Sequence, residues 1–319
     1  MAVSSYSIVM ALLWFTVAAL IGCWTLRKAE KYGLVFVSVI FTLAILRAVL
    51  PLEYAGSLII RSNKIYPAIQ SALTVQVLTG ITFGESLLIL WWSGSVVKLL
   101  HFLWESIKQA RFLRQIAHET PNEEYNRLCV LLCGVCDELG YRGKRKLTIS
   151  EDVLTVYQAG FIHPHIVLPE SITEVSEQDI CNVFRHEMQH FLGRHLWVNA
   201  GMQIAGCLLW WNPVMLLLNR SVQQLLELLC DRRACKSLSQ EEQYSYLETL
   251  IGFLKNKTEK PANSVVLSYL GNSAGSEIKQ RFQLVLQNKS SVQLKVRLWA
   301  SSILCVVLFV MSYLEPIPK

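Results

Sequence analysis

The chain has 319 residues, of which 52% are hydrophobic and 17% are charged, and its formal net charge is +6. The low charged fraction and a mean hydropathy of +0.35 exclude an ordinary soluble domain, in which roughly 25% of residues are charged. Basic residues cluster beside apolar segments, so we attribute the positive charge to membrane topology and expect no direct nucleic-acid binding.

Four apolar segments are predicted to cross a lipid bilayer. Three lie near the N-terminus and cover residues 6–26, 34–52 and 81–100, and a fourth covers residues 298–314. Each is close to the length that a helix needs to cross a hydrocarbon core of roughly 30 Å. The pattern predicts a membrane α-helical protein with about four transmembrane helices.

Lysine and arginine are concentrated after the first span, after the third span and before the fourth. Because cytoplasmic loops carry an excess of these residues, the distribution predicts a multi-pass protein with its N-terminus outside. Residues 1–100 then hold three spans, with an outside loop at 53–79. The segment 101–296 is cytoplasmic, and residues 297–319 hold the fourth span and a short outside tail.

The cytoplasmic segment has the mixed pattern of an α+β domain. Residues 122–139 predict an amphipathic helix that ends at Gly140. Three short strands are predicted after it, at residues 146–150, 153–158 and 165–168. Ser176, with Asp179 three residues later, approximates a capping box and predicts the start of another helix. A later helix is predicted over residues 220–236.

The helix that begins near Ser176 contains the H-E-x-x-H pentad His186–His190. Histidines four residues apart lie one turn apart on the same helix face, so both imidazoles can bind one zinc ion. Glu187 is placed to take a proton from a water that the metal activates. The alternative for the pentad alone is a solvated helix face with ion pairs to Arg185 and Arg194.

Two acidic residues further along favour the metal site. Glu227 lies on a separate predicted helix and supplies a third ligand beside His186 and His190, which leaves an open position for water. Asp231 lies four residues later on the same face and is suited to accept the second ring N–H of a ligand histidine. Glu187 is then the general base for hydrolysis of a peptide bond.

Residues 198–218 are apolar enough for a further span, but polar residues and Pro213 interrupt them. A complete crossing would place Glu227 and His186 on opposite sides of the membrane, whereas a shared zinc requires them on one side. We therefore predict a membrane-associated hairpin, re-entrant or interfacial, whose polar backbone is buried in protein.

Three further features near the pentad carry additional hypotheses. His195 lies one turn past His190, and a surface role is favoured over substrate binding. The strand around residues 166–169 is interpreted as a sheet edge that pairs with an extended substrate. The polar loop 255–263 and the following residues 264–272 are candidates for a self-cleavage site.

Taken together, these motifs resemble the membrane-bound zinc peptidases of the β-lactam sensor–transducers, the BlaR/MecR-like family (peptidase family M56). The resemblance spans nearly the whole chain and includes the three early spans. Its most specific stretches are Leu46 to Tyr54, Gly160 to Pro169, the pentad with Arg194, Trp211-Asn212-Pro213, and E-L-x-C-D at residues 227–231.

The resemblance implies a protein of the bacterial cytoplasmic membrane whose gluzincin-type domain lies in the cytoplasm. It implies that zinc (Zn2+) is bound by His186, His190 and Glu227. It implies Glu187 as the base, with Asp231 and Arg194 behind the ligands. It also implies site-specific proteolysis, of the protein itself or of a cytoplasmic repressor, that relays an outside signal to transcription.

Two departures from the family pattern matter. His195 stands where family members often carry an aspartate. The chain also ends five residues after the fourth predicted span. We therefore expect either a truncated chain or a member without its own penicillin-binding sensor domain. Ser276 to Lys279 match S-x-x-K, but they fall on the predicted cytoplasmic side and are interpreted as coincidence.

Two other classes of function stay open at this point. One is a non-catalytic membrane receptor or scaffold with a structural zinc, and the other is a housekeeping protease that degrades misfolded membrane proteins. The small and polar residues Ser93, Gly94 and Ser95 in the third span favour close helix packing and are compatible with a homodimer.

Overall fold

The computed structural model describes residues 5–49, 71–78, 80–116 and 123–259, together with residues 68, 280, 281, 283, 303 and 307. These residues are mostly helical, with one three-stranded sheet and one two-stranded hairpin. They divide into two compact units. The first unit is drawn from Met1–Leu103, Met202–Leu225 and Ser290–Lys319, and the second from Trp104–Gly201 and Leu226–Lys289.

The first unit begins with two apolar helices. Helix α1 (Ser5–Leu26) and helix α3 (Leu34–Val49) pack against each other, and the short helix α2 (Ala29–Tyr32) connects them. Gly22 allows this close approach, because a Cβ atom there would lie 2.4 Å from the ring of Phe41. Both helices bury apolar side chains, as their apolar sequences predict.

A hairpin of β1 (Gln76–Leu78) and β2 (Ile81–Thr82) leads directly into the long helix α4 (Phe83–Ile116). The helix start is capped reciprocally. The backbone N–H of Thr82 donates to the Glu85 carboxylate at 2.8 Å, and the N–H of Glu85 donates to the Thr82 hydroxyl at 3.3 Å. These contacts satisfy donors that the first turn of a helix leaves without partners.

Within the described part of the chain, α4 is the helix whose length and apolar composition suit a membrane crossing. It has 34 residues and extends well beyond the predicted third span at 81–100. Helices α1 and α3 contribute the shorter apolar stretches Ala11–Leu26 and Leu34–Ala48. The predicted fourth span lies outside the described residues apart from positions 303 and 307.

The second unit contains helix α5 (Glu123–Glu138) and a sheet of β3 (Lys146–Ser150), β4 (Tyr157–Ala159) and β5 (His165–Pro169). The strand order is β3-β5-β4, with β5 parallel to β3 and antiparallel to β4. The prediction that residues 166–169 form a sheet edge is therefore wrong. The physical reason lies in β5 itself, whose residues 166–168 are fully buried, as expected of a central strand.

A 3₁₀ helix (Glu170–Glu174) connects β5 to helix α6, which is the first of four successive helices. They are α6 (Glu177–Leu192), α7 (His195–Leu208), α8 (Pro213–Ala234) and α9 (Gln240–Glu259). Helices α5 and α6 pack on the sheet, and their core includes Leu128, Leu132, Ile166, Phe184 and Met188. Each large apolar side chain buried there contributes about 1.5–3 kcal/mol relative to exposure.

Helix α6 begins as its sequence predicts. Ser176 is the N-cap residue, and its hydroxyl accepts a hydrogen bond from the backbone N–H of Asp179 at 3.2 Å. The hydroxyl in turn donates to the Asp179 carboxylate at 2.6 Å. The pentad thus lies on a helix whose start is defined by local side chains.

Helix α8 begins seven residues earlier than the predicted start at Arg220. Asn212 caps it, because its side-chain oxygen accepts from the N–H of Val214 at 2.9 Å. Pro213 follows at the first helical position, where its missing N–H costs nothing. A turn therefore separates α7 from α8 inside the predicted hairpin 198–218, whose association with the membrane stays a prediction.

Candidate metal centre

Helix α6 places two imidazoles on one face of the second unit. The Nε2 atoms of His186 and His190 lie 3.1 Å apart, and their rings meet edge to face. His186 is 7% exposed, so its ring is held inside the protein rather than in solvent. This arrangement is the one expected for two histidines at helical spacing that share a metal ion.

Glu227 approaches the same two nitrogens from helix α8. Its Oε2 atom lies 3.4 Å from His186 Nε2, and its Oε1 atom lies 3.6 Å from His190 Nε2. Ligand atoms about 2.1 Å from a tetrahedral zinc are about 3.4 Å from one another. The three donors therefore fit one zinc ion. The Glu227 side chain is 39% exposed, so one side of the group is open to water or substrate.

Cys230 is a competing donor. Its sulfur and the nitrogens of His186 and His190 all lie within 4.8 Å of one another, so these three residues also form a group that could hold a metal ion. However, the Cys230 thiol donates to the backbone carbonyl of His186 at 3.1 Å. Burial raises the pKa of this thiol to about 11, which disfavours the thiolate that zinc requires. The Glu227 carboxylate is the better third donor.

Asp231 lies behind His186. It is 1% exposed, and its Oδ1 atom lies 3.3 Å from His186 Nδ1. The Tyr246 hydroxyl from helix α9 donates to the same Oδ1 atom at 3.0 Å and lies 2.9 Å from His186 Nδ1. Partners of this kind fix the ring orientation and tautomer of a metal-binding histidine.

Arg281 balances the negative charge of the two carboxylates. Its guanidinium donates to Asp231 at 2.5 and 2.9 Å, and it lies 3.5 Å from Glu227 Oε2. Burial alone would lower the pKa of Arg281, but Asp231 and the other neighbouring groups together outweigh burial and raise the pKa above its usual value. The guanidinium therefore stays charged. Sequence patterns did not indicate Tyr246 or Arg281, because both are distant in sequence from the residues they contact and belong to no short motif.

The ionisation of the cluster reflects its buried carboxylates. Burial lowers the pKa of His186, but Tyr246, Cys230 and Asp231 outweigh it and raise the value well above 6.5. Burial raises the pKa of Glu227, yet the hydrogen bond from His186 and the nearby cations hold it well below 4.5. The Glu227 carboxylate is therefore in its charged form, which is the form that binds a divalent cation.

The remaining predicted residues lie in different surroundings. Glu187 is adjacent to His186 on α6 and is 9% exposed. Arg194 is exposed and lies in the turn after α6, where its backbone has a left-handed φ of 55°. A role for Arg194 behind the ligands stays a prediction.

The expected surface role of His195 is wrong. The residue is 3% exposed, and its Nδ1 atom lies 2.8 Å from His190 Nδ1. Burial, followed by the charge of Arg233, lowers the pKa of His195 to about 4. The turn at Gly193 and Arg194 directs the chain back, so helical spacing alone could not reveal this contact.

The comparison with known families agrees with this geometry. The family model described as BlaR1 peptidase M56 matches residues 3–285, which include every residue of the centre. The chain belongs to this family. M56 members are metallopeptidases, so the His–His–Glu group lies in a protein of a metal-dependent class.

Two individual relatives show how much of this M56 chain is matched. "Regulatory protein BlaR1" of Bacillus licheniformis is 24% identical over 197 residues, or 61% of this chain and 32% of that protein. "Methicillin resistance mecR1 protein" of Staphylococcus aureus (strain Mu50 / ATCC 700699) is 24% identical over 204 residues, or 62% of this chain and 33% of that protein. The chain thus matches about a third of the length of these relatives.

Proposed function

We propose that this M56 chain is an integral membrane zinc endopeptidase of the gluzincin type. His186, His190 and Glu227 are the ligands, and Glu187 is the general base. The observation that carries the proposal is the set of donor distances, 3.1, 3.4 and 3.6 Å, between side chains of two separate helices. Asp231 and Tyr246 behind His186 support a ring that is oriented before any metal binds.

The reaction is hydrolysis of a peptide bond by water. Zinc, when bound, supplies a Lewis acid that acidifies water and polarises the substrate carbonyl. Glu187 accepts the proton of the attacking water and transfers it to the leaving nitrogen as the C–N bond breaks. Asp231 and Tyr246 hold the His186 ring, and Arg281 offsets the charge of Glu227 and Asp231. The chain's own residues thereby provide proton transfer, orientation and charge balance.

The arrangement of the sheet favours an extended peptide as the substrate. Strand β4 is paired on one side by β5 and forms an edge of the described sheet, and it also contacts α6, the helix of the pentad. An edge strand offers backbone N–H and C=O groups to a substrate strand. We therefore propose that the substrate pairs with β4 and that its scissile bond reaches His186 and His190.

We also propose a role in signalling across the bacterial cytoplasmic membrane. The names of the relatives, a regulatory protein and methicillin resistance proteins, support regulation of antibiotic resistance. The proposed orientation has the N-terminus outside and the second unit in the cytoplasm, as the lysine and arginine distribution favours. The proposed substrates are the chain itself, within residues 255–272, and a cytoplasmic repressor. A homodimer in the membrane is compatible with this scheme.

The test compares the wild type with Glu187→Gln, using full-length protein in proteoliposomes and mass spectrometry of the fragments. We expect the variant to retain zinc and to cleave at least about 100-fold more slowly, since general-base catalysis contributes about 10²–10⁴-fold. Glu241→Gln changes an exposed glutamate of α9 and serves as the matched control. Identical fragments at identical rates in the wild type and Glu187→Gln would refute the proposal.

The contact of Cys230 with the site favours one alternative, a non-catalytic membrane protein with a structural zinc. If Cys230 joined His186, His190 and Glu227, the four ligands would close the coordination sphere. Cys230→Ser distinguishes the two functions. A structural site would lose zinc in this variant, whereas the proposed catalytic site keeps it.

A further inference from the structure

The imidazoles of His190 and His195 contact each other through their Nδ1 atoms. Their Nδ1 atoms lie 2.8 Å apart, and their rings meet at an interplanar angle of 82°. This distance is that of a hydrogen bond, which requires one nitrogen to donate and the other to accept. His195 is 3% exposed, so water does not readily replace its partner.

The metal-facing atom of His190 determines the direction of this hydrogen bond. His190 Nε2 lies among the donors, 3.1 Å from His186 Nε2 and 3.6 Å from Glu227 Oε1. A neutral imidazole that offers a lone pair at Nε2 carries its proton on Nδ1. His190 is therefore the donor, and His195 Nδ1 is the acceptor with its own proton on Nε2.

The turn between α6 and α7 is shaped for this contact. Arg194 has a left-handed φ of 55°, which reverses the chain so that the first residue of α7 faces the last turn of α6. Gly193 leaves room for the incoming ring, because a Cβ atom there would lie 2.4 Å from His195 Nε2 and 2.8 Å from a terminal nitrogen of Arg233. The left-handed backbone of Arg194 and the missing side chain of Gly193 together make room for the His195 ring.

We propose that His195 is a positioning residue that accepts the Nδ1 proton of His190 and thereby presents the His190 Nε2 lone pair to the metal. The inference rests on the zinc site proposed above. It gives each ligand histidine its own partner on a different element. His186 is held by Asp231 and Tyr246, and His190 is held by His195.

The first test measures zinc affinity of the full-length protein by competition with a chelator. His195→Phe keeps a ring but removes the acceptor, and we expect it to weaken zinc binding about 10- to 100-fold, the usual effect of losing such a partner. His195→Asn and His195→Asp restore an acceptor oxygen and should recover most of the affinity. His163→Ala, which changes an exposed loop histidine, should bind as the wild type does.

The outcomes separate this inference from the proposed function. If the wild type binds no zinc, the proposed function fails. If the wild type binds zinc and His195→Phe binds it equally well, or if Asn and Asp bind as weakly as Phe, only the role of His195 is overturned. Unfolding of the metal-free variants is followed in parallel, so that a loss of zinc caused by misfolding is recognised.

A second measurement needs no disruptive variant and is made on the zinc-loaded chain. Solid-state ¹⁵N spectra of histidine-labelled wild-type chain in lipid report which ring nitrogen carries the proton. We expect His190 protonated at Nδ1 and His195 protonated at Nε2, with His195→Asn used to assign its signals. A His195 ring protonated at Nδ1 and facing an unprotonated His190 Nδ1 would overturn the proposal even if His195→Phe does not fold.

Discussion

Asp231 carries a negative charge at a place where only 1% of the residue is exposed. Three neighbours satisfy it, namely the Arg281 guanidinium, the Tyr246 hydroxyl and the His186 ring. Burial of a carboxylate without such partners is costly. Asp231 and Tyr246 also hold the His186 ring, so the proposed zinc site and local stability share these hydrogen bonds.

Arg281→Ala tests this dependence at the residue scale. Removing one partner of a buried ion pair costs about 3–5 kcal/mol, and we expect the lower end because Tyr246 and His186 still contact Asp231. The check is thermal unfolding of the metal-free full chain, with exposed Arg232→Ala as the matched control. Arg281→Lys should lie between them, since it keeps the charge but not the two-nitrogen contact. An unchanged melting temperature in Arg281→Ala would contradict the account.

At the scale of elements, helix α6 carries both proposed histidine ligands and the proposed base, and its start depends on Ser176. Replacing an N-cap serine by alanine costs about 1 kcal/mol of stability. We expect Ser176→Ala to lower stability by this amount while zinc affinity changes only a few-fold, because the ligands lie more than two turns away. Ser237→Ala, an exposed serine that caps no helix, should change neither quantity. A selective loss of zinc affinity without loss of stability would contradict this view of α6.

Sequence patterns predicted the helices whose starts and ends depend on residues close to them in the chain. The Ser176 cap, the pentad helix and the helix end near Gly140, whose φ is 71°, follow from signals within a few residues. Strand β5 was different, because being central or at an edge depends on which other strands pair with it. A buried apolar run could have indicated a central strand, and that signal was present at residues 166–168.

The candidate site was predictable only in part for the same reason. The ligands and Asp231 belong to two motifs with regular helical spacing, which sequence reasoning can recognise. Tyr246 contacts a histidine 60 residues away, and Arg281 contacts Asp231 across 50 residues. His195 is near in sequence, but its contact depends on the left-handed turn at Arg194.

At the scale of the whole molecule, the chain combines apolar helices with a unit that contains the candidate metal centre. Helix α4 is long enough to cross a bilayer, and the chain belongs to the BlaR1 peptidase M56 family. Orientation and the number of crossings remain part of the proposed function. The second unit contains the proposed ligands, their hydrogen-bond partners and the proposed base, and this claim is central to the proposed function.

Zinc K-edge X-ray absorption of the full-length chain in lipid tests that claim most directly. The account predicts one zinc per chain surrounded only by nitrogen and oxygen at about 2.0–2.2 Å, with the outer-shell signature of two imidazoles. This result corresponds to His186, His190, Glu227 and an open position for water. A sulfur neighbour at about 2.3 Å would place Cys230 among the ligands and contradict the catalytic site.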